Sequence, residues 1–333
     1  MDILNALVAI LNFVVIPAAS YGAQLALGAL GVTLIYGILR FSNFAHGDTM
    51  AFGTAMVIIV TWGMQAIGIG LGPLPTALLA LPFGIALTAA FVLGTDRVVY
   101  RFYRTKRSAP IILVMASVGV MFIMNGLTRL VIGVDEIRFD DGARFLISVQ
   151  QFKAWTGLTE GLSLRVSQAL TLVVTALCCW ALFRFLGRSR AGKAMRAYSD
   201  NEDLALLSGI DPERVVRLTW IIATGLAVIA GTLYGLDKSF KAFNYFQILL
   251  PIFAAAIVGG LGSPLGAVAG GFIVAFSEVA VTYPWKKIAA YLGFQTDGML
   301  QLLSTEYKFA VSFVILIVVL LFRPTGLFRG KSV

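Results

Sequence analysis

The only histidine of the chain, His46, stands in Asn43-Phe44-Ala45-His46-Gly47-Asp48, between two long apolar runs. Asn43, His46, Gly47 and Asp48 are polar or helix-breaking, an unusual density at a membrane boundary. Side chains at such a break can hydrogen-bond to freed backbone groups, and Asp48 can cap the following helix through its first amides. Both a structural role and a direct role in a solute path or gate stay open. One His with one Asp is too little for a metal site or a catalytic triad. Glu278 is the other conspicuous group, an acid inside an apolar segment. It reads as a satisfied buried acid or as part of a path, and ion coupling would use more such groups. Cys178 and Cys179 are adjacent, so they supply neither a disulfide framework nor zinc-ligand spacing and read as buried small residues. Gly330-Lys331-Ser332 resembles the end of a phosphate-binding loop, but that motif needs Gly where Thr325 stands. The chain has no catalytic or metal site on this reading and binds no ATP by itself.

The elements that position these residues follow from composition. Of 333 residues, 13% are charged, against ~25% in an average globular protein. With glycine counted and tyrosine left out, about two-thirds are apolar, where soluble domains sit near ~45–50%. That excess excludes disorder and a soluble surface alike. A spanning helix needs roughly 20 mostly apolar residues. Nine segments qualify, at 18–39, 44–66, 74–94, 108–132, 166–186, 215–236, 245–261, 264–283 and 307–323. The chain is therefore expected to be one all-α polytopic membrane domain over 1–333, with eight to ten crossings. Residues 3–16, ahead of Pro17, read as an interfacial helix or a tenth crossing; with Asp2 in place of a basic start, they are expected to be retained.

Lys and Arg in short loops set the side. Arg97, Arg101, Arg104, Lys106 and Arg107, then Arg184, Arg188, Arg190, Lys193, Arg196, Arg214 and Arg217, then Arg323, Arg329 and Lys331 are separated by even numbers of spans. With Arg40 they fall on one side, expected to be the cytoplasm, so the net charge of +9 is mostly a topology signal and nucleic-acid binding is not expected. The acidic loop 133–164 lies outside on this map, the C-terminus inside. Lys286 and Lys287 also fall outside, against the rule.

Gly70-Leu71-Gly72-Pro73-Leu74 is similar to Gly260-Leu261-Gly262-Ser263-Pro264-Leu265 with one residue inserted. The second copy lies five spans later, an odd offset that inverts it, as in inverted-topology repeats enclosing a midplane path. Gly259, Gly260, Gly262, Gly270 and Gly271 favour close packing, and would also permit a broken helix lining a cavity. The longest cytoplasmic segment, 187–214, carries capping signals a solvated loop does not need. Asp200 is placed to cap a helix over 201–208 with Asp203 at its third position. Gly209 suits the stop, and Asp211 with Pro212 the next start. The segment reads as a docking helix or an interfacial linker.

At these residues the chain resembles the permease subunits of bacterial branched-chain amino-acid ABC transporters, specifically the H-type subunit. The matching pieces are Asn43 to Gly47, Gly192-x-x-x-Arg196-Ala197 to Gly209-Ile210, Ala255 to Gly271, Leu303 to Lys308, and Pro324-Thr325-Gly326-Leu327-Phe328. The resemblance implies an inverted-repeat permease of the bacterial inner membrane forming half of a translocation path with a second, related permease. It implies two cytoplasmic ATPase subunits using ATP and Mg, a periplasmic amino-acid-binding protein, and no cofactor on this chain. By analogy Arg196, Asp203, Gly209 and Ile210 couple to the ATPase, whereas Asn43, Phe44, His46, Gly47, Asp48, Gly259, Gly260, Gly262 and Glu278 are candidates for the path or gate. The family more often has Glu where Asp48 stands, and the 133–164 loop departs, which leaves receptor and ligand open. Relatives in the wider family carry urea or short amides. An ion-coupled secondary transporter is the rival from another class; an intramembrane enzyme lacks a nucleophile and base pair.

Overall fold

The computed structural model describes residues 2–291, 301–304 and 307–328. Thr305, Glu306, Arg329, Gly330, Lys331 and Ser332, used in the sequence reading, lie outside the described residues. The helices are α1 (Asp2–Ile10), α2 (Ile16–Leu39), α3 (His46–Ala66), α4 (Ala77–Thr95), α5 (Arg101–Thr105), α6 (Pro110–Ile132), α7 (Val149–Thr156) and α8 (Val166–Arg188). They continue as α9 (Arg190–Asp200), α10 (Glu202–Leu207), α11 (Pro212–Lys238), α12 (Ala242–Gly259), α13 (Pro264–Thr282), α14 (Lys286–Tyr291) and α15 (Lys308–Phe322). Among the described residues, eight helical stretches are long and apolar enough to cross a membrane. Each of the nine apolar segments is helical, but α15 has 15 residues and is short for a crossing.

The N-terminal segment is neither a separate interfacial helix nor a further crossing. Residues Ile3–Leu39 run as one 37-residue stretch, about 56 Å long, through a π-helical turn at Leu11–Val15. Pro17 opens α2 at a position where its missing N–H costs little, and the wider turn before it absorbs the ring. A length well beyond the ~30 Å of hydrocarbon lets α1 project past it. There Asn5 Oδ1 accepts from the Glu160 amide, and Asn12 Oδ1 from the Ser163 amide at 2.9 Å. Glu160 in turn accepts from Lys287 Nζ at 2.9 Å and from the Tyr291 hydroxyl. The unexpected lysine pair is thus half explained: Lys287 meets an acid that the 133–164 segment supplies. That segment is not a bare loop. It holds a two-stranded antiparallel ladder, β1 (Phe145–Ile147) and β2 (Leu164–Arg165), around α7, which Ser148 and Gln151 close with a capping box.

The packing repeats itself. α2 packs against α12 and α13, and α11 packs against α3 and α4; α3 pairs with α4 and α6, α12 with α13 and α15; α2 and α11 pack on each other. Exchanging α2, α3, α4 and α6 for α11, α12, α13 and α15 reproduces every one of these pairings. α2 ends at Arg40 beside Ser199, on the basic face, while α11 ends at Ser239 beside Glu136, on the opposite face. The two quartets are inverted, and the Gly70–Leu74 and Gly260–Leu265 turns lie on opposite faces as the repeat requires. Lipid provides little hydrophobic drive between helices, so contact depends on small residues. Added Cβ atoms at Gly259, Gly266 and Gly270 would strike the facing backbone of the α12–α13 hairpin.

Candidate functional site

α2 stops at Arg40, which takes the left-handed conformation at φ 57°. The chain then climbs back along α2, because His46 opens α3 level with Gly31, nine residues of helix or about 14 Å from Arg40. His46 is equally level with Ala223 of α11, eleven residues inside that helix. α3 therefore starts about halfway through the bundle rather than at its surface, with its dipole's positive end in the interior. Backbone released by this re-entry is satisfied locally: Ala45 N donates to Asn43 Oδ1 at 3.1 Å, His46 N to Asn43 O at 3.3 Å, and Phe44 N to Ser117 Oγ at 3.1 Å. Phe44 meets Phe253 with ring centroids 5.2 Å apart.

The histidine fills a notch. A Cβ on residue 31 would come within 2.6 Å of His46 Cε1 and 3.2 Å of the Ala223 carbonyl, so only glycine admits the ring. The repeat places an equivalent plug in the other half, where Tyr245 is fully buried near the start of α12 and donates its hydroxyl to Gly231 O at 2.9 Å. The two plugged helix starts overlap: a Cβ on Gly47 would lie 2.8 Å from Tyr245 O and 3.1 Å from Leu249 Cβ. Asp48, also fully buried, accepts from Asn125 Nδ2 of α6 at 2.7 Å. It does not cap its helix through its side chain as expected. The α6 amide takes that carboxylate instead.

Gly259, Gly260 and Gly262 form no broken helix lining a cavity. They make the tight α12–α13 turn, with φ 108° at Gly260 and 83° at Gly262. The tail closes on it: Leu327 N donates to Val258 O at 2.9 Å and Phe328 N to Gly259 O at 3.1 Å. Glu278 lies apart from the α3 start. It is buried near the far end of α13, accepting from Ser312 Oγ of α15 in the neighbourhood of Tyr21, roughly 10–15 Å along α2 from His46.

The 187–214 segment contains one more helix than expected and a cap shifted by one residue. Charged residues mask α9, whose Met195 and Tyr198 are buried. Asp200 ends α9, and Asn201 caps α10 by accepting from Leu204 N at 3.0 Å, which puts Asp203 at the second position. Gly209, at φ 80°, ends α10, and Ile210 N returns to Ala205 O at 3.0 Å. Leu204, Leu206 and Leu207 stand outward, the last 85% exposed, and Arg196 and Asp203 are exposed. Ser199 Oγ donates to Gly37 O at 2.9 Å while Arg40 donates to Ser199 O. A second connection runs through charges that sequence reading did not connect. Arg104 holds Asp96 at 2.9 Å and Glu213 at 3.3 Å, Trp220 Nε1 donates to Asp96 at 2.8 Å, and Tyr100 lies between Trp220 and Phe41.

Residues 15–320 match the family described as branched-chain amino acid transport system, permease component. The chain belongs to this permease family. The permease is 32% identical over 317 residues to the high-affinity branched-chain amino acid transport system permease protein LivH of Escherichia coli, covering 94% of this chain and 93% of that one. It is 31% identical over 317 residues to the corresponding protein BraD of Pseudomonas aeruginosa, at 94% of each chain. No solved structure matches the permease. It is a multi-pass membrane protein and the transport component of an ABC system. Asn125 and Ser117, which hold the α3 start, escaped the sequence reading; an isolated amide within the apolar α6 run was the available signal.

Proposed function

We propose that the permease forms half of the translocation path of an ATP-driven importer for branched-chain or other hydrophobic amino acids, set in the bacterial inner membrane. Its basic face and C-terminus lie in the cytoplasm, and a second, related permease completes the path. Two ATPase subunits bind ATP and Mg below, and a periplasmic amino-acid-binding protein delivers solute above. ATP hydrolysis belongs to those partners. The observation that carries this reading is the short helix α10, capped at both ends, with leucines turned outward and tied through α9 to the C-terminus of α2. Exposed apolar side chains on an otherwise charged segment fit a cleft in a protein partner. The likeness of the relatives supports the solute class.

In this account an ATPase movement pulls α9 and α10. Ser199 and Arg40 pass the displacement to the end of α2, and Glu213, Arg104 and Asp96 pass it to α4 and α11. Both routes converge on Phe41 to His46, the one place where α2 and α3 are joined by re-entrant backbone. A shift there alters the overlap of α3 and α12 that Gly47 and Tyr245 close, and this is the gate. Burial, with the Glu202 carboxylate beside it, pushes the Tyr198 hydroxyl up, so it remains the donor that joins α9 to α10 at 2.7 Å. The test is Gly209→Val. A β-branched residue resists φ 80°. ATPase activity of the assembled complex is expected to persist while leucine uptake falls at least about tenfold, and normally coupled uptake would remove α10 from the mechanism.

A further inference from the structure

From Ala77 to Thr105 the permease runs 29 residues of continuous helix, made of α4, a π-helical turn at Asp96–Tyr100 and α5, about 43 Å in all. No charge interrupts it before Asp96. A hydrocarbon layer of ~30 Å measured from Ala77 ends near Arg97, so the π-helical turn and α5 stand at the depth of the lipid headgroups. Here the helix divides its cations by face. Arg104 turns inward to Asp96 and Glu213. Arg97, Arg101 and Lys106 turn outward around a groove of about 390 Å³, whose other walls are Val98, Phe102 and Thr105.

This outward charge is barely compensated. Among the described residues, Arg101 reaches one carboxylate, Glu213, at 3.6 Å, Lys106 lies over the Phe102 ring at 4.2 Å, and Arg97 has no acidic partner. Cations on this face are what the topology of a membrane protein demands. The apolar groups set among them are not: Val98 is 77% exposed and Phe102 52%. The groove also continues toward the midplane. Phe83, Leu87, Ala90 and Gly94 recur every third or fourth residue, so they form one exposed row along α4 that leads to Arg97 and Val98. A Cβ on Gly94 would meet nothing within 4 Å, which leaves a gap in the row one turn from Arg97.

We propose that this row and groove bind an anionic phospholipid from the leaflet on the basic face. Its phosphate lies among Arg97, Arg101 and Lys106, and one acyl chain passes the Gly94 gap along Leu87 and Phe83. Charge complementarity selects the head. Continuity with the lipid-facing row of α4 selects a lipid over a soluble anion. The phosphate shares Arg101 with Glu213, so the lipid borders the Asp96, Arg104 and Glu213 cluster.

The experiment places the assembled complex in nanodiscs of phosphatidylcholine with a minority of phosphatidylglycerol, one lipid or the other carrying a photoactivatable diazirine in an acyl chain. Labelled peptides are then counted by mass spectrometry. The readout is the ratio of phosphatidylglycerol to phosphatidylcholine labelling on α4, divided by the same ratio on α8. The exposed Val173, Leu177 and Trp180 of α8 also run down to cations, Arg184 and Arg188, so general attraction to the basic face cancels. Each cation beside an anionic headgroup strengthens binding about fivefold, and α4 is expected to exceed α8 by at least that factor. Arg97→Gln combined with Lys106→Gln, both at exposed side chains, should bring α4 down to the α8 value. Arg190→Gln combined with Lys193→Gln removes as much charge from the same face outside both helices and should leave the excess in place. Equal ratios on α4 and α8 in the unaltered complex, which a protein partner seated on the row would also give, overturn the proposal. An excess that survives the first pair of changes, or falls as far with the second, overturns it as well.

Discussion

At the scale of single residues, the site depends on a histidine ring filling space that one glycine leaves open. Gly31→Ala forces His46 or the Ala223 backbone to move, an overpacking cost of about 1–3 kcal/mol. Its melting temperature in detergent should fall, and His46→Ala in the same chain should restore part of the loss. If the double variant is no more stable than Gly31→Ala, the ring does not occupy that notch. Asn125→Leu leaves Asp48 Oδ1 without its donor, at a cost of about 1–2 kcal/mol, since polar contacts between membrane helices are worth this much at most. The matching change Asp48→Asn should be milder. Equal melting temperatures for Asn125→Leu and the parent chain would contradict the contact. The sequence displayed His46 and Asp48 plainly, because polar groups stand out in apolar runs. It hid their partners, Gly31, Asn125 and Tyr245, because each comes from another helix, and spacing along one helix carries no such information.

At the scale of elements, the contacts through which Glu160 joins α1 to α14, a belt around that end of the bundle, predict a pH response. Glu160 is held below the usual carboxylate range: burial opposes this, and hydrogen bonds from the Tyr291 hydroxyl and the Lys287 ammonium outweigh it. Its charged form favours the folded belt, so this stabilisation is complete above the ordinary carboxylate range and is lost as pH falls through the lowered value. Hydrogen-exchange protection factors at α1 and α14, referred to the intrinsic rate at each pH, should fall as pH falls through that interval, and Glu160→Gln should abolish that change. Protection factors that do not change with pH in the parent chain would show that the acid does not hold these elements together. The short helix near 201–208 was legible from its caps, though Asn201 rather than Asp200 does the capping. α9 was hidden because its buried Met195 and Tyr198 are sparse among charges. The N-terminal helix misled through Pro17, which breaks helices in general but here follows a π-helical turn that makes room for it.

At the scale of the molecule, the inverted quartets explain why a helix can begin inside a membrane. α3 and α12 each start beside a small-residue notch on the first helix of their own half, His46 against Gly31 of α2 and Tyr245 against Gly231 of α11, and the two halves meet where Gly47 faces the Tyr245 carbonyl. The apolar segments and their alternating sides were readable from hydropathy and charge, since lipid demands long internally bonded helices. The exchange of partners between halves was not readable, because it is a property of packing. On the proposed reading, the seam between α3 and α12 is the gate and α9 and α10 are the levers leading to it. The central claim is that movement of solute requires force from outside the chain. It is tested by reconstituting the permease into vesicles alone and with its ABC partners, then measuring labelled leucine uptake with binding protein and ATP supplied on their proper sides. Uphill accumulation only in the vesicles that hold the partners is the expected result; accumulation against a gradient by the permease alone would contradict the account.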